Sequence, residues 1–178
     1  TPRILLNSVS SQFPEGLANS SGLVGKNLMF HPVGSVQGRF DERLDSHKGP
    51  QGCCILSKEF YETDLSRGFV RGYNMQITRG AGPMATAMAG FANGTIPWGP
   101  GHHEAFEKRF DHVASIGVIG EDLPEEHNTV TLDPELVDSD GIPAPKITYR
   151  YSDNSLKMIE HGLARAEEAM WAAGAAEV

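Results

Sequence analysis

The residues able to carry chemistry are few and scattered. His102 and His103 are neighbours beside Gly101. Adjacent histidines can bind a metal, but a site needs further histidine or carboxylate ligands at fixed spacing, and that pattern is absent. The pair therefore reads as an exposed helix start, and no residue is assigned to a metal. His31, before Pro32 in an apolar stretch, is expected to be buried and hydrogen-bonded. His161 falls off the apolar stripe of a helix and is expected in solvent. Cys53 and Cys54 are adjacent, and on a strand such residues point to opposite faces, which disfavours an ordinary disulfide. One buried and one exposed thiol are expected. Asp138–Gly141 (DSDG) holds part of a calcium loop, without the third acid and terminal Glu, and so reads as a turn. Glu121, Asp122, Glu125 and Glu126 read as a solvated acidic loop. Ile147, Tyr149 and Tyr151 share one face of a strand, the row that a sheet roofing a pocket would present. The phosphate-loop, HExxH, GxSxG and GxGxxG signatures are all missing.

These groups must be positioned by short strands and a few helices. Thr1 can cap a helix with its hydroxyl, and Pro2 suits the first helical position. A loop rich in Gly, Ser, Asn and Pro follows. Residues 28–40 have strand character, with Pro32 and glycines that suggest an edge or a bulge. CCILS is a short strand. In FVRGYNMQITRG, Val70, Gly72, Asn74 and Gln76 alternate with Arg71, Tyr73, Met75 and Ile77. HVASIGVIGED is apolar or small on both sides, as a central strand would be. HNTVTLDP and PKITYRY flank Asp140-Gly141 and Pro143, a strong hairpin signal. EAFEKRF is a short helix. Residues 153–173 carry Leu156, Ile159, Leu163, Ala166 and Met170 at helical spacing, with Gly174 as a stop. The expected class is α+β: a mainly antiparallel sheet of five to six strands with flanking helices, including a long C-terminal helix. Segments 70–78, 113–119, 127–133 and 145–151 are expected to lie in one sheet. Residues 81–103, rich in Gly and Ala, read as an insertion or lid lying across another surface, because the segment has little of its own to bury.

A chain of 178 residues fits one domain with a sizeable core, and 39% hydrophobic with 21% charged residues is globular. A formal net charge of −8 argues against nucleic-acid partners. No apolar run approaches the ~20 residues of a membrane span, and no signal-peptide pattern is seen.

Three stretches, in order, resemble a known family. TPRILLNS resembles the second half of the second signature of the glucose–methanol–choline (GMC) flavin oxidoreductases, where Thr/Ser-Pro leads a Leu-rich helix and a Ser. SSGLVGKNLMFHP resembles the segment that follows it. HNTVTLDPELVDSDGIPAPKITYRYSDNSLKMIEH is similar to the late substrate-domain hairpin and helix, with the gluconate- and sugar-dehydrogenase-like branch nearest. The resemblance implies that residues 1–178 are a single substrate-binding (cap) domain of a larger flavoenzyme. Residues 1–27 would be its lead-in helix and loop from an FAD domain. The family's βαβ dinucleotide fingerprint and catalytic His have no counterpart here, so FAD is expected in the full-length protein and none on this chain. The implied catalytic His pair lies beyond Val178.

By the same resemblance the reaction is oxidation of an alcohol or sugar CH–OH, with hydride passing to flavin. Thr1, Pro2 and Asn7 lie nearest the flavin. Tyr73, Asn74 and Gln76 on one strand, and Tyr149 and Tyr151 on another, are candidate pocket walls, and either sheet face could be inward. The implied partners are the substrate, the missing FAD-binding domain, and a second copy through an exposed interdomain face. The rival readings are a stand-alone, non-enzymatic α+β binding module and a structural subunit of a larger complex.

Overall fold

The computed structural model describes residues 1–49 and 52–178, apart from the Cys53 side chain. The expectation for the Cys53 thiol lies outside that description; the Cys54 thiol is exposed. The chain divides into two compact units, Thr1–His31 with Asp122–Ser155, and Pro32–Glu121 with Leu156–Val178. The α+β class holds: among the described residues six strands pair antiparallel, and a long helix, α4 (Asp153–Ala172), lies near the C-terminus.

In the first unit, helix α1 (Pro2–Asn7) starts at Pro2, where the missing N–H costs nothing. The Thr1 hydroxyl makes no cap bond, contrary to expectation. The Thr1 carbonyl receives the Ile4 and Leu5 N–H groups instead, at 3.0 and 3.2 Å. Strands β5 (Thr129–Val137) and β6 (Pro143–Thr148) form the expected hairpin, with Val130 opposite Ile147. In its turn, Asp138 Oδ1 accepts from the N–H groups of Asp140 and Ile142, at 2.9 and 3.0 Å. The Arg3 guanidinium reaches Asp138 Oδ2 at 2.6 Å and the Pro143 carbonyl at 2.8 Å, tying α1 to the hairpin. Gly25 lies at φ +81°, and a Cβ there would sit 2.1 Å from the Val130 carbonyl oxygen, so only glycine lets this loop run beside β5. Asn128 is fully buried and mimics a strand partner. Its Oδ1 accepts from the Arg150 N–H at 2.9 Å and its Nδ2 donates to the Arg150 carbonyl at 3.1 Å.

This hairpin is a separate two-stranded sheet, which corrects the expectation of one sheet for all strands. Pro143 and Pro145 supply the reason. Each lacks a ladder donor, so β6 suits an edge rather than the middle of a larger sheet.

The second unit holds a four-stranded sheet in the order β1 (Val33–Arg39), β4 (Val113–Gly120), β3 (Tyr73–Thr78), β2 (Cys53–Ser57). Strand β4 is interior, as its two-sided apolar pattern predicts. Tyr73, Met75, Ile116 and Val118 form the core with Phe69 and with Met158, Ala166 and Met170 of α4. A Cβ at Gly162 would lie 2.5 Å from Val118 Cγ1, so glycine is what lets α4 come this close to the sheet. The buried line of the helix therefore runs through Met158 and Gly162. Ile159 and Leu163 pack at its edge, and Leu156 is half exposed rather than part of the stripe. At the far edge, Ala176 N donates to the Arg39 carbonyl at 2.7 Å and Arg39 N to the Glu177 carbonyl at 2.9 Å, extending the ladder beyond β1.

Residues 81–103 are more ordered than a lid made wholly of loop. Gly82 and Pro83 open helix α2 (Pro83–Ala92), whose alanines favour it. Ile96 is almost fully buried, contrary to the expectation that the segment has no core of its own. Phe91 packs on Trp98 and His102 at ring separations of 5.1 and 5.2 Å, and Trp98 is 86% exposed. His102 and His103 open helix α3 (His102–Arg109), as expected. Among the described residues, no helix is long and apolar enough to cross a membrane.

Asp111 fastens the loop that leaves β1. It sits at φ +71° just beyond α3, with its side chain almost wholly buried. Its carboxylate takes the Arg43 Nε and Nη2 donors at 2.9 Å each, together with the His47 ring and N–H. Burial alone would push this carboxyl up; the hydrogen bonds from His47 and Arg43 outweigh it and pull the pKa from 3.8 to about 2.

Two predictions follow from these polar anchors. Asn128→Ala removes both part-buried hydrogen bonds to the Arg150 backbone and should cost about 1–3 kcal/mol in chemical denaturation. For Asp111 the folded pKa is below the unfolded one. Its stabilisation is therefore complete above about pH 4 and disappears as the pH falls toward about 2. Melting curves across that range should show a steeper acid loss for wild type than for Asp111→Asn, which αL geometry tolerates. Parallel curves would exclude this role for Asp111.

Candidate functional site

The two faces of the four-stranded sheet differ in chemistry. One is the helix-covered core. The other carries three cross-strand rows set by register. Val33, Ile119 and Asn74 align in the first; Ser35, Gly117, Gln76 and Leu56 in the second; Gln37, Ser115 and Thr78 in the third. Val33 is 57% exposed and Leu56 48%, so this face is open within the unit. Amides and hydroxyls dominate it, and Gly117 at its centre leaves bare floor. A Cβ there would meet only the Gln76 carbonyl oxygen, at 3.8 Å. Asn74 Oδ1 is buried and has no hydrogen-bond partner. Such a face suits a small polyhydroxylated molecule: hydroxyls can pair with the amides, and a carbon skeleton can lie over the glycine.

Of the predicted wall residues, Asn74 and Gln76 share this open face. Tyr73 stands on the opposite one, 1% exposed, stacked on Phe60 at 5.3 Å, with its hydroxyl 2.8 Å from His161 Nδ1. Burial pushes the Tyr73 phenol up to about 12, against the pull of Arg67 and Arg165. His161 is thus not a solvated residue. It sits among Phe60, Phe69 and Tyr73, and burial, reinforced by Arg165 and Arg67, lowers its pKa. His31, by contrast, is exposed rather than buried.

Tyr149 and Tyr151 belong to the first unit and lie just past β6, with their rings edge-to-face at 5.5 Å. The Tyr149 hydroxyl donates to Asp122 Oδ2 at 2.6 Å, and Ser155 Oγ donates to Asp122 Oδ1 at 2.7 Å. Asp122 is 5% exposed and so is no member of a solvated acidic loop. Burial, then the Asp122 hydrogen bond and charge, push the Tyr149 phenol up. The partners of Asp122 lie 27 and 33 positions away in sequence, which left no local signal. Thr1 and Pro2 begin α1, and the Asn7 side chain donates to the Arg3 carbonyl at 3.0 Å, within that helix.

Every strand pairing among the described residues is antiparallel, whereas the pyrophosphate cradle of a dinucleotide site is built on a parallel βαβ unit. The described residues do not compose that cradle. Nor does any group of three or more His, Cys, Asp or Glu among them stand close enough to hold a metal.

No family model matches the chain. It is 42% identical over 178 residues to a 2-methyl-1,2-propanediol dehydrogenase of Mycolicibacterium austroafricanum, covering 99% of this chain and 32% of that protein. It is 28% identical over 152 residues to the fructose dehydrogenase large subunit of Gluconobacter japonicus, covering 84% and 27%. With the gluconate 2-dehydrogenase flavoprotein of Pantoea cypripedii it shares 22% identity over 152 residues, covering 83% and 25%. The chain thus spans between a quarter and a third of the length of these curated relatives, and it is similar to one part of larger dehydrogenases.

Proposed function

We propose that the chain is the substrate-binding domain of a larger FAD-dependent oxidoreductase of the GMC type, acting on the CH–OH group of an alcohol or sugar. The observation that carries this reading is the match of 99% of the chain, at 42% identity, to a part of one dehydrogenase. The open sheet face is what such a part would contribute. Asn74 and Gln76 orient substrate hydroxyls, and the floor at Gly117 receives the carbon skeleton. A bound flavin supplies hydride acceptance, while the protein supplies orientation and exclusion of water. The cradle for that flavin lies outside the residues described, and so does the acid–base group. Residues 1–27 form the lead-in from the flavin domain, with Thr1, Pro2 and Asn7 nearest the cofactor.

The test is to express the complete reading frame that contains the chain and assay dye reduction with diols and sugars. The product should carry flavin, seen by its absorbance, and should oxidise at least one of these alcohols. Gln76→Ala should raise KM about three- to tenfold, the worth of one hydrogen bond, with the melting temperature unchanged. Gly117→Leu should raise it further by filling the floor. A flavin-free product, or variants with wild-type KM, would overturn the proposal.

A further inference from the structure

Helix α2 leaves a cleft of about 150 Å³ against the end of the open face. Gln37 and Ser115, from the third cross-strand row, form part of its wall; Ala85 and Ala89 of α2 form another, and Arg79 and Arg109 border it. Among its described lining residues there is no carboxylate, although the chain as a whole carries a net charge of −8. Nearby cations are mostly neutralised: Arg39 pairs with Asp41 and Glu177, and Lys108 with Glu104. Arg79 and Arg109 are different, for neither has a carboxylate partner among the described ion pairs. The Arg79 Nη1 donates to the Lys48 carbonyl, which engages one of its five donors.

From this arrangement we propose that the cleft receives the carboxylate of a polyol acid whose hydroxylated chain lies along the open sheet face. This rests on the reading of that face as the substrate wall and names the substrate class. Two guanidinium groups without acidic partners match a carboxylate, which accepts charge-assisted bonds from both. Gln37 and Ser115, already linked Nε2 to Oγ at 3.5 Å, have further donors for its outer lone pairs. The step from the Gln76 row to the Thr78 row is two strand residues, about 7 Å, which about five or six extended carbons cover. A six-carbon acid anchored at Arg79 and Arg109 would therefore present its far end, the carbons remote from the carboxylate, over Gly117. A neutral diol has no group for this cleft and would be held by the amides alone.

The experiment is calorimetric titration of the chain with gluconate and, separately, with 2-methyl-1,2-propanediol and acetate. Gluconate should bind tightest. Arg79→Gln and Arg109→Gln should each weaken it about tenfold, the worth of a charge-assisted bond, and leave diol binding unchanged. Raising the salt should weaken gluconate selectively. Circular dichroism of both variants should match wild type, since Arg79 is exposed and Arg109 is partly so. Gluconate binding no tighter than the diol, or unaffected by both substitutions, overturns the assignment. Acetate binding as tightly as gluconate overturns the polyol part of it. Arginine-dependent gluconate binding in a chain whose full reading frame oxidises no alcohol would uphold the cleft while the dehydrogenase reading fell. Amide-dependent diol oxidation without gluconate binding would do the reverse.

Discussion

Everything in the second unit depends on how closely α4 can approach one face of its sheet. The missing Cβ of Gly162 sets that distance, and Tyr73 and Val118 fill the space it opens. Once one face is consumed by core packing, alternation along the strands decides the rest. Asn74 and Gln76 must point away from the helix because Tyr73 and Met75 point toward it. The polar face is therefore a by-product of the apolar one, and its residues are free of any packing duty. The Tyr73–His161 bond completes the arrangement. It gives a buried phenol the partner that burial would otherwise deny it.

Three buried polar side chains do for irregular chain what the core does for the sheet. Asn128 pairs with the backbone of Arg150, Asp122 gathers Tyr149 and Ser155, and Asp111 gathers Arg43 and His47. Asn128 meets one N–H and one carbonyl of a single distant residue, and each aspartate gathers donors from at least two. That is how loops without regular ladders escape the cost of unpaired buried groups.

The hairpin at Asp140-Gly141, the interior strand β4, helices α3 and α4, and the split of Tyr73 from Asn74 and Gln76 were legible because local pattern governs them. Helix α2 was not, since its four alanines and its glycine read as low complexity when weighed against a missing core rather than against helix propensity. The separation of β5 and β6 into their own sheet was signalled by Pro143 and Pro145, a weaker cue than the alternation around them. The roles of His161, Asp111 and Asp122 had no local trace. Each depends on a partner brought near only by the folded chain, so a carboxylate in a polar run looked solvated and a histidine beside a stripe looked exposed. The open face itself needed the register between strands, because Ser35, Gly117 and Gln76 form one row only once β1, β4 and β3 are aligned.

The strand order also shapes the path by which this surface comes into being. Strands β2 and β3 meet across a short separation, Ser57 opposite Met75, whereas β1 and β4 join residues as far apart as Val33 and Ile119. Closing longer loops adds only about 0.6 kcal/mol per doubling, but non-local pairing slows folding because entropy is lost before contacts repay it. The hairpin-like half of the sheet is thus the natural early element, and β1 joins late, after β4 exists to receive it. Since Ser35 and Gln37 arrive with β1, the polar face is complete only at the end of folding, together with the pairing of Arg39 to residues 176 and 177. A complete chain refolding can therefore hold its apolar core partly formed while presenting no finished binding surface.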